Sequence, residues 1–289
     1  MTARVRWIGF DMDECIGSVM PLYPFVSYLS GMAEQKSIEK LPNTLLEICN
    51  SLYESEQTRN TKILRPSIFH VLEVVYKAFK QKQIQGAFLF SNNGSKELVQ
   101  FMGFFLNVCI ARLFEKENIE QNVFQMVSWA GQKERKPFGY TKNYEAIQLC
   151  LKAKGLPQCS SVNDLLFFDD ISHDLEQEIP NYIRVKPYPN QTNAKKLIEV
   201  FKPLQKIISP QDWSNLAISS QTIRYLYNNN PIIHFPLLME DDIKHFTKAL
   251  VKFLYMHTGS SRKRRNNPSK KQTLKYKKLK KKSKEDGSL

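Results

Sequence analysis

Three short apolar segments, each ending at or just before a polar residue, constrain the fold of this chain most strongly. They are Val5–Phe10, Gly86–Ser91 and Leu165–Phe168. Runs this short and this apolar predict strands that are buried on both faces, as in a parallel sheet. Helical patterns are present at Pro66–Gln83, Lys96–Phe114 and Phe138–Lys154. Strands that alternate with helices of this length predict an α/β fold, a Rossmann-like three-layer sandwich around a parallel sheet.

The chain is predicted to have three parts. Residues 1–202 contain the α/β core. Within them, residues 20–62 carry helical patterns and form either a small helical cap or only a longer connection. Residues 203–259 are predicted to form a helical annex, with Glu240–Met256 as its clearest helix. In residues 260–289 apolar side chains nearly vanish, and we expect this tail to be disordered.

The net charge of +14 is concentrated in that tail. Arg262–Leu289 contains 13 basic and 2 acidic residues, a net charge of +11, which leaves about +3 for the rest of the chain. Its two basic clusters, Arg262–Arg265 and Lys277–Lys282, are typical of segments that bind an import receptor or nucleic acid. A solvated tail without a dedicated partner is the alternative.

Other sequence features exclude whole classes of protein. Asp11, Asp13 and Glu14 interrupt any apolar segment near the N-terminus, which argues against a secretory signal. The best apolar run, Phe101–Ala111, is shorter than the span of about 20 residues that a membrane helix needs. Five cysteines without CxxC spacing favour reduced thiols. We therefore expect an intracellular protein with no membrane partner, in the nucleus if the tail directs import and otherwise in the cytoplasm.

Two carboxylates follow the first predicted strand. Asp11 and Asp13 are separated by one residue, so they face the same side if the extended backbone continues. Crowded carboxylates at the carboxyl end of a parallel sheet repel one another, and a divalent cation such as Mg²⁺ offsets that repulsion. A turn or a helix N-cap with two nearby acids is the alternative for this motif taken alone.

Polar residues also follow the other two predicted strands. Ser91 and Asn92 end the second strand and open a helix, an arrangement that suits either phosphate binding or ordinary capping. Asp169 and Asp170 end the third strand, where α/β proteins place ligands. Lys136 precedes a proline and a predicted helix, so it places one positive charge near the start of that helix. Lys133 is a competing candidate for this lysine.

Together and in this order, the four motifs resemble those of the haloacid-dehalogenase-like (HAD) phosphohydrolases. The matching pattern consists of an hhhhDxD motif at Asp11 and Asp13, an hhhhS motif at Ser91, the lysine Lys136, and an hhhhDD motif at Asp169 and Asp170. The resemblance covers about residues 4–190 and is greatest to the magnesium-dependent and carboxy-terminal-domain phosphatase branches.

This resemblance implies a Mg²⁺-dependent phosphatase that forms an aspartyl-phosphate intermediate. Asp11 would be the nucleophile, and Asp13 would protonate the leaving oxygen and later deprotonate water. Lys136 would offset negative charge, while Ser91 and Asn92 would bind the phosphate.

The resemblance also implies the metal ligands and leaves several substrates open. Mg²⁺ would be held by Asp11, the backbone carbonyl of Asp13, Asp169 and Asp170. A phosphorylated protein, a nucleic-acid end or a small metabolite would be the substrate. The alternatives are a polynucleotide 3′-phosphatase held on nucleic acid by the tail, and a catalytically weak HAD-like scaffold that binds nucleic acid or a partner.

Overall fold

A computed structural model describes residues 4–34, 41–115, 117, 119, 121–189, 191–227 and 235–255 of the chain. The predicted disordered tail at residues 260–289 therefore lies outside the described residues, and residues 1–254 form one compact unit. The strands are β1 (Trp7–Phe10), β2 (Gly86–Phe90), β3 (Phe124–Ser128), β4 (Leu165–Asp169) and β5 (Tyr182–Arg184). The α-helices are α1 (Tyr23–Glu34), α2 (Leu41–Gln57), α3 (Ile68–Lys80), α4 (Lys96–Leu113), α5 (Tyr144–Ala153), α6 (Leu175–Glu178), α7 (Ala194–Val200), α8 (Pro210–Tyr227) and α9 (Phe235–Tyr255). Short 3-10 helices occupy Met20–Leu22, Lys133–Phe138, Val162–Asp164 and Lys202–Lys206.

The five strands form one parallel sheet in the order β3-β2-β1-β4-β5. The three predicted strands are confirmed as its centre. Phe10 pairs with Leu89 of β2 and Phe168 of β4, so the residue after Phe10 lies level with Asp169. The polar residues that follow these strands therefore meet at one edge of the sheet, as the sequence predicted.

Helices cover both faces of the sheet, which gives the predicted α/β sandwich. Ile8 and Phe10 join the larger hydrophobic cluster with α1–α4 and α7–α9, while Trp7 joins a smaller cluster with α5 and α6. Gly9 allows this packing, because a Cβ there would lie only 2.4 Å from the ring of Phe167 and 2.6 Å from that of Phe88. The central strands are thus buried on both faces, which is why they appear as continuous apolar runs.

The segments outside the alternating pattern are largely helical and pack on the same side of the sheet. Within residues 20–62, α1 and α2 both contact α4. In α9, Phe246 stacks on Phe168 of β4 with ring centroids 4.7 Å apart. The helix predicted at Glu240–Met256 is confirmed, but it begins earlier, at Phe235. The division into core, cap and annex stays a prediction. None of the helices within the described ranges combines the length and the apolar content that a membrane span requires.

Candidate active site

Three carboxylates come together at the carboxyl ends of β1 and β4. Asp11 follows β1, Asp169 ends β4, and Asp170 comes next; all three are buried. One oxygen of each lies within 4.8 Å of the others, a spacing at which three carboxylates could hold one metal ion. Burial, together with the charges of Asp11 and Asp169, raises the pKa of Asp170 to about 7.

A buried lysine bridges two of these carboxylates. The Nζ of Lys142 lies 2.6 Å from Asp11 Oδ1 and 2.8 Å from Asp169 Oδ2. Burial alone would lower the pKa of Lys142, but the two carboxylates raise it above its usual value, so the ammonium remains charged. Burial raises the pKa of Asp11 in spite of this ammonium. Asn143, whose side chain accepts a hydrogen bond from Ala146 N, caps α5 and fixes the backbone next to Lys142.

The lysine that contacts these carboxylates is not the one that the sequence predicted. Lys136 and the competing Lys133 are both exposed, and neither makes an ion pair with any residue that the structure describes. They lie in the 3-10 helix Lys133–Phe138, whereas Lys142 directly precedes Asn143, the N-cap of α5, which begins only at Tyr144. The structure therefore places Lys142, rather than Lys136, at the carboxylates.

Asp13 lies on the loop after β1 and is held by an asparagine that the sequence interpretation did not single out. Its Oδ2 accepts a hydrogen bond of 3.0 Å from Asn93 Nδ2. Its Oδ1 is buried and has no hydrogen-bond partner among the described residues. Burial, with a smaller contribution from Asp11, raises the pKa of Asp13 to about 6, although the Asn93 hydrogen bond opposes this shift.

The carboxylate of Asp13 is not part of the three-carboxylate group. Its backbone carbonyl, the predicted metal ligand, already accepts a hydrogen bond of 2.7 Å from Cys15 N. A carbonyl oxygen has two lone pairs, so this hydrogen bond leaves one of them for a metal ion. The ligand role of Asp13 stays a prediction. The Cys15 thiol is buried, and burial together with the nearby acids raises its pKa well above the usual value. The structure gives this cysteine a packing position.

The loop after β2 places a hydroxyl beside these groups. Ser91 is buried, and its Oγ accepts a hydrogen bond of 3.0 Å from Asn93 N. The cap of α4 is Ser95, whose side chain accepts from Leu98 N, so the capping alternative does not explain Ser91. Asn92 accepts a hydrogen bond from the guanidinium of Arg135 through its Oδ1.

Two buried arginines hold the loops of the site. Arg135 also donates to the backbone carbonyl of Ser91, and its guanidinium lies 4.2 Å from the centre of the Phe90 ring. Arg65 donates from Nε to the carbonyl of Cys15 (2.7 Å) and from Nη2 to that of Glu14 (2.8 Å). Arginine suits these positions because its planar fork donates to several acceptors at once. Neither arginine carries a sequence signal of its own.

A histidine completes the rim of the site on the β4 side. Nε2 of His173 lies 3.8 Å from Asp169 Oδ2 and has no hydrogen-bond partner among the described residues. Burial, together with the charge of Lys142, lowers the pKa of His173, so the neutral imidazole is favoured.

Comparisons with known proteins found no match to this chain among family models, curated proteins or solved structures.

Proposed function

We propose that the protein is a HAD-like, Mg²⁺-dependent phosphatase that hydrolyses a phosphomonoester through an aspartyl-phosphate. The observation that carries this proposal is the placement of Asp11 beside Lys142, Asp169 and Asp170, with Asp13 held two residues further along. A nucleophile, a charge-neutralising cation, a metal-ligand group and a proton donor are the parts that phosphoryl transfer requires.

Asp11 is the proposed nucleophile because its side chain lies beside Asp169 and Asp170, the other proposed metal ligands, and is held in a fixed orientation. Lys142 binds one of its oxygens and holds the side chain in place. The same ammonium offsets the negative charge that develops when a carboxylate attacks a phosphoryl group.

Asp13 is the proposed acid and base. Its pKa of about 6 keeps both the protonated and the ionised form available near neutral pH. A carboxyl with a pKa in its usual range would be almost entirely ionised at pH 7 and would donate a proton far less often.

The donor set of the site fits Mg²⁺. When all three are ionised, Asp11, Asp169 and Asp170 carry three negative charges against the one positive charge of Lys142, so the buried group has an excess of two negative charges. A divalent cation with hard oxygen ligands balances such a group. When bound by these three residues, Mg²⁺ would neutralise phosphate oxygens and orient them toward Asp11.

Ser91 and Asn92 are the proposed phosphate-binding residues. The Ser91 hydroxyl accepts from Asn93 N, and its own hydrogen has no acceptor within the described part of the chain. That hydrogen is available to a phosphoryl oxygen. Arg135 donates to the amide oxygen of Asn92. The amide nitrogen of Asn92 is therefore the group that can donate to a phosphate.

The proposal is tested by comparing Asp11→Asn with Asp164→Asn in the presence of Mg²⁺ and an aryl phosphate. Asp164 is a matched control because it is also buried but precedes β4, at the strand end opposite to Asp169. We expect Asp11→Asn to abolish turnover and Asp164→Asn to retain it. Equal activity in Asp11→Asn and the wild type would overturn the nucleophile assignment.

The substrate class is part of the same experiment. A panel of a phosphopeptide, a 3′-phosphorylated oligonucleotide and small phosphomonoesters separates a protein phosphatase from a polynucleotide 3′-phosphatase. A wild-type protein that hydrolyses none of these with Mg²⁺ would contradict the proposed function and favour the catalytically weak scaffold.

A further inference from the structure

Asn93 connects the loop after β2 to the proposed acid. Its Nδ2 donates to Asp13 Oδ2 at 3.0 Å and lies 3.4 Å from the sulfur of Met20. Its Oδ1 accepts from Ser95 N at 2.8 Å. The side chain therefore uses both ends of its amide.

The network fixes which way this amide points. Ser95 N–H can only donate, so the amide group that faces it must be the oxygen. The nitrogen consequently faces the Asp13 carboxylate. The backbone of Asn93 is anchored as well, because its N–H donates to Ser91 Oγ and its carbonyl accepts from Ala130 N at 3.1 Å. Because both its side chain and its backbone are held in this way, Asn93 has little freedom to rotate away from the Asp13 carboxylate.

We propose that Asn93 is a positioning residue that holds Asp13 by Oδ2 and so assigns Oδ1 to proton transfer. Oδ1 is the oxygen that is buried and has no partner among the described residues. An unpartnered buried oxygen is costly unless a ligand or substrate group meets it. This inference rests on the proposed function, because Asn93 acts through Asp13.

Asp13 exchanges one proton in each of the two chemical steps. In the first, the Asp11 carboxylate forms a bond to phosphorus while the bond from phosphorus to the ester oxygen breaks, and the proton on Asp13 Oδ1 moves to that leaving oxygen. In the second, a water oxygen forms a bond to phosphorus, the bond from Asp11 to phosphorus breaks, and the water proton returns to Asp13 Oδ1. Asn93 exchanges no proton in either step.

The dependence of the rate on the leaving group tests this inference. An alkoxide leaving group needs the proton from Asp13, whereas 4-nitrophenolate leaves readily without one. The ratio kcat/KM reports formation of the aspartyl-phosphate and not its hydrolysis, in which Asp13 acts for both substrates. In Asn93→Ala and Asn93→Asp we therefore expect kcat/KM for an alkyl phosphate such as phosphoserine to fall by about 100-fold or more, within the range of general acid catalysis. We expect kcat/KM for 4-nitrophenyl phosphate to fall by less than about 10-fold.

Asn93→Asp separates positioning from loop structure. The new carboxylate keeps an oxygen for Ser95 N but loses the donor to Asp13. Asn193→Ala is the matched control, because the Asn193 side chain also accepts a backbone N–H, in its case as the cap of α7, and has no proposed part in the site. Thermal unfolding of each variant shows whether it is folded.

A double-mutant cycle completes the test. If Asn93 acts only through Asp13, Asn93→Ala should have almost no further effect on the leaving-group dependence of Asp13→Asn. Equal losses of kcat/KM for both substrates, or full additivity in the cycle, would overturn the inference. Inactivity of the wild type toward both substrates would instead contradict the proposed function itself.

Discussion

Among the three carboxylates, Asp170 is the one that no lysine of the described residues contacts, and its ionisation opposes folding. Its pKa of about 7 lies above the ordinary aspartate value, so the folded state binds more protons than the unfolded state between about pH 4 and pH 7. Stability is consequently lost as the pH rises through this window, and the loss is complete above the folded-state pKa. The cause is burial beside two other carboxylates.

We expect Asp170→Asn to be more stable than the wild type in chelator-containing buffer at pH 8. Three pH units set an upper limit of about 4 kcal/mol on the gain, since each unit corresponds to about 1.36 kcal/mol. The gain should be small near pH 4, where Asp170 is protonated in the folded state and about half protonated in the unfolded state. Urea unfolding at pH 4, 6 and 8 measures it, and a variant less stable than the wild type at pH 8 would refute the interpretation.

Lys142 provides the second prediction, because removing it leaves two buried carboxylates without their cation. We expect Lys142→Met to lower kcat by at least about 100-fold, in the range seen when one charge-stabilising group is deleted. Lys136→Met should change kcat by less than about 2-fold, since Lys136 is exposed and lies in the preceding 3-10 helix. Steady-state kinetics with 4-nitrophenyl phosphate decides between them, with circular dichroism to show that Lys142→Met is folded. The reverse order of effects would restore the original sequence assignment.

The difference between these two lysines shows what the sequence could and could not predict at the site. Asp11, Asp169 and Asp170 were predictable because each directly follows an apolar strand, and parallel strands bring their carboxyl ends to one edge. No strand leads into Lys136 or Lys142. Their positions depend on the path of the loop after β3, which spacing along the chain does not encode.

At the scale of elements, the loop formed by residues 12–17 after β1 depends on close backbone approach. Gly17 forms bridges to Asp13 and Leu64, and a Cβ there would lie 2.3 Å from the carbonyl oxygen of Ile63. Glu14 has φ 59°, in the left-handed region, which lets the chain reverse within this short loop. The position of Asp13 therefore depends on the absence of a side chain at Gly17.

A pair of identical substitutions tests this dependence. Gly17→Ala should destabilise the protein by about 1–3 kcal/mol, because the backbone contact must open. Gly31→Ala should stabilise it by about 0.5–1 kcal/mol, since Gly31 lies in α1 and nothing within 4 Å would meet the new methyl group. Urea unfolding measures both, and Gly17→Ala should also lower kcat. Equal stability changes in the two variants would contradict the close approach.

The burial of each strand explains which strands of the sheet could be predicted from the sequence and which could not. β1, β2 and β4 lie in the centre and are buried throughout, which produces the apolar runs that predicted them. β3 alternates between buried and half-buried residues, and β5 has three residues and is only partly buried. Edge strands are covered less completely than central strands, so their sequences carry a weaker signal.

At the scale of the whole molecule, the positive charge and the proposed chemistry belong to different parts of the chain. The proposed site is built from acidic side chains and one lysine, within residues 1–254. The net charge of +11 belongs to Arg262–Leu289, which lies outside the described residues. The tail is therefore expected to influence where the protein binds and not how fast it turns over a small substrate.

Deleting residues 260–289 tests this separation. Binding of a polyanion releases counterions, so the affinity of the full chain for a single-stranded oligonucleotide should fall steeply with salt, by about 0.7 logarithmic units per phosphate contact and per tenfold change in salt. The deletion should reduce both the affinity and this slope, while kcat for 4-nitrophenyl phosphate stays within about 2-fold.

A matched pair refines the result: arginine in place of Lys277, Lys278, Lys280, Lys281 and Lys282 keeps the charge and should keep the slope, whereas glutamine at the same positions should lower it. Fluorescence anisotropy over a salt series measures these slopes. An unchanged slope after deletion would rule out the tail as a nucleic-acid tether and leave import-receptor binding or a solvated tail without a dedicated partner.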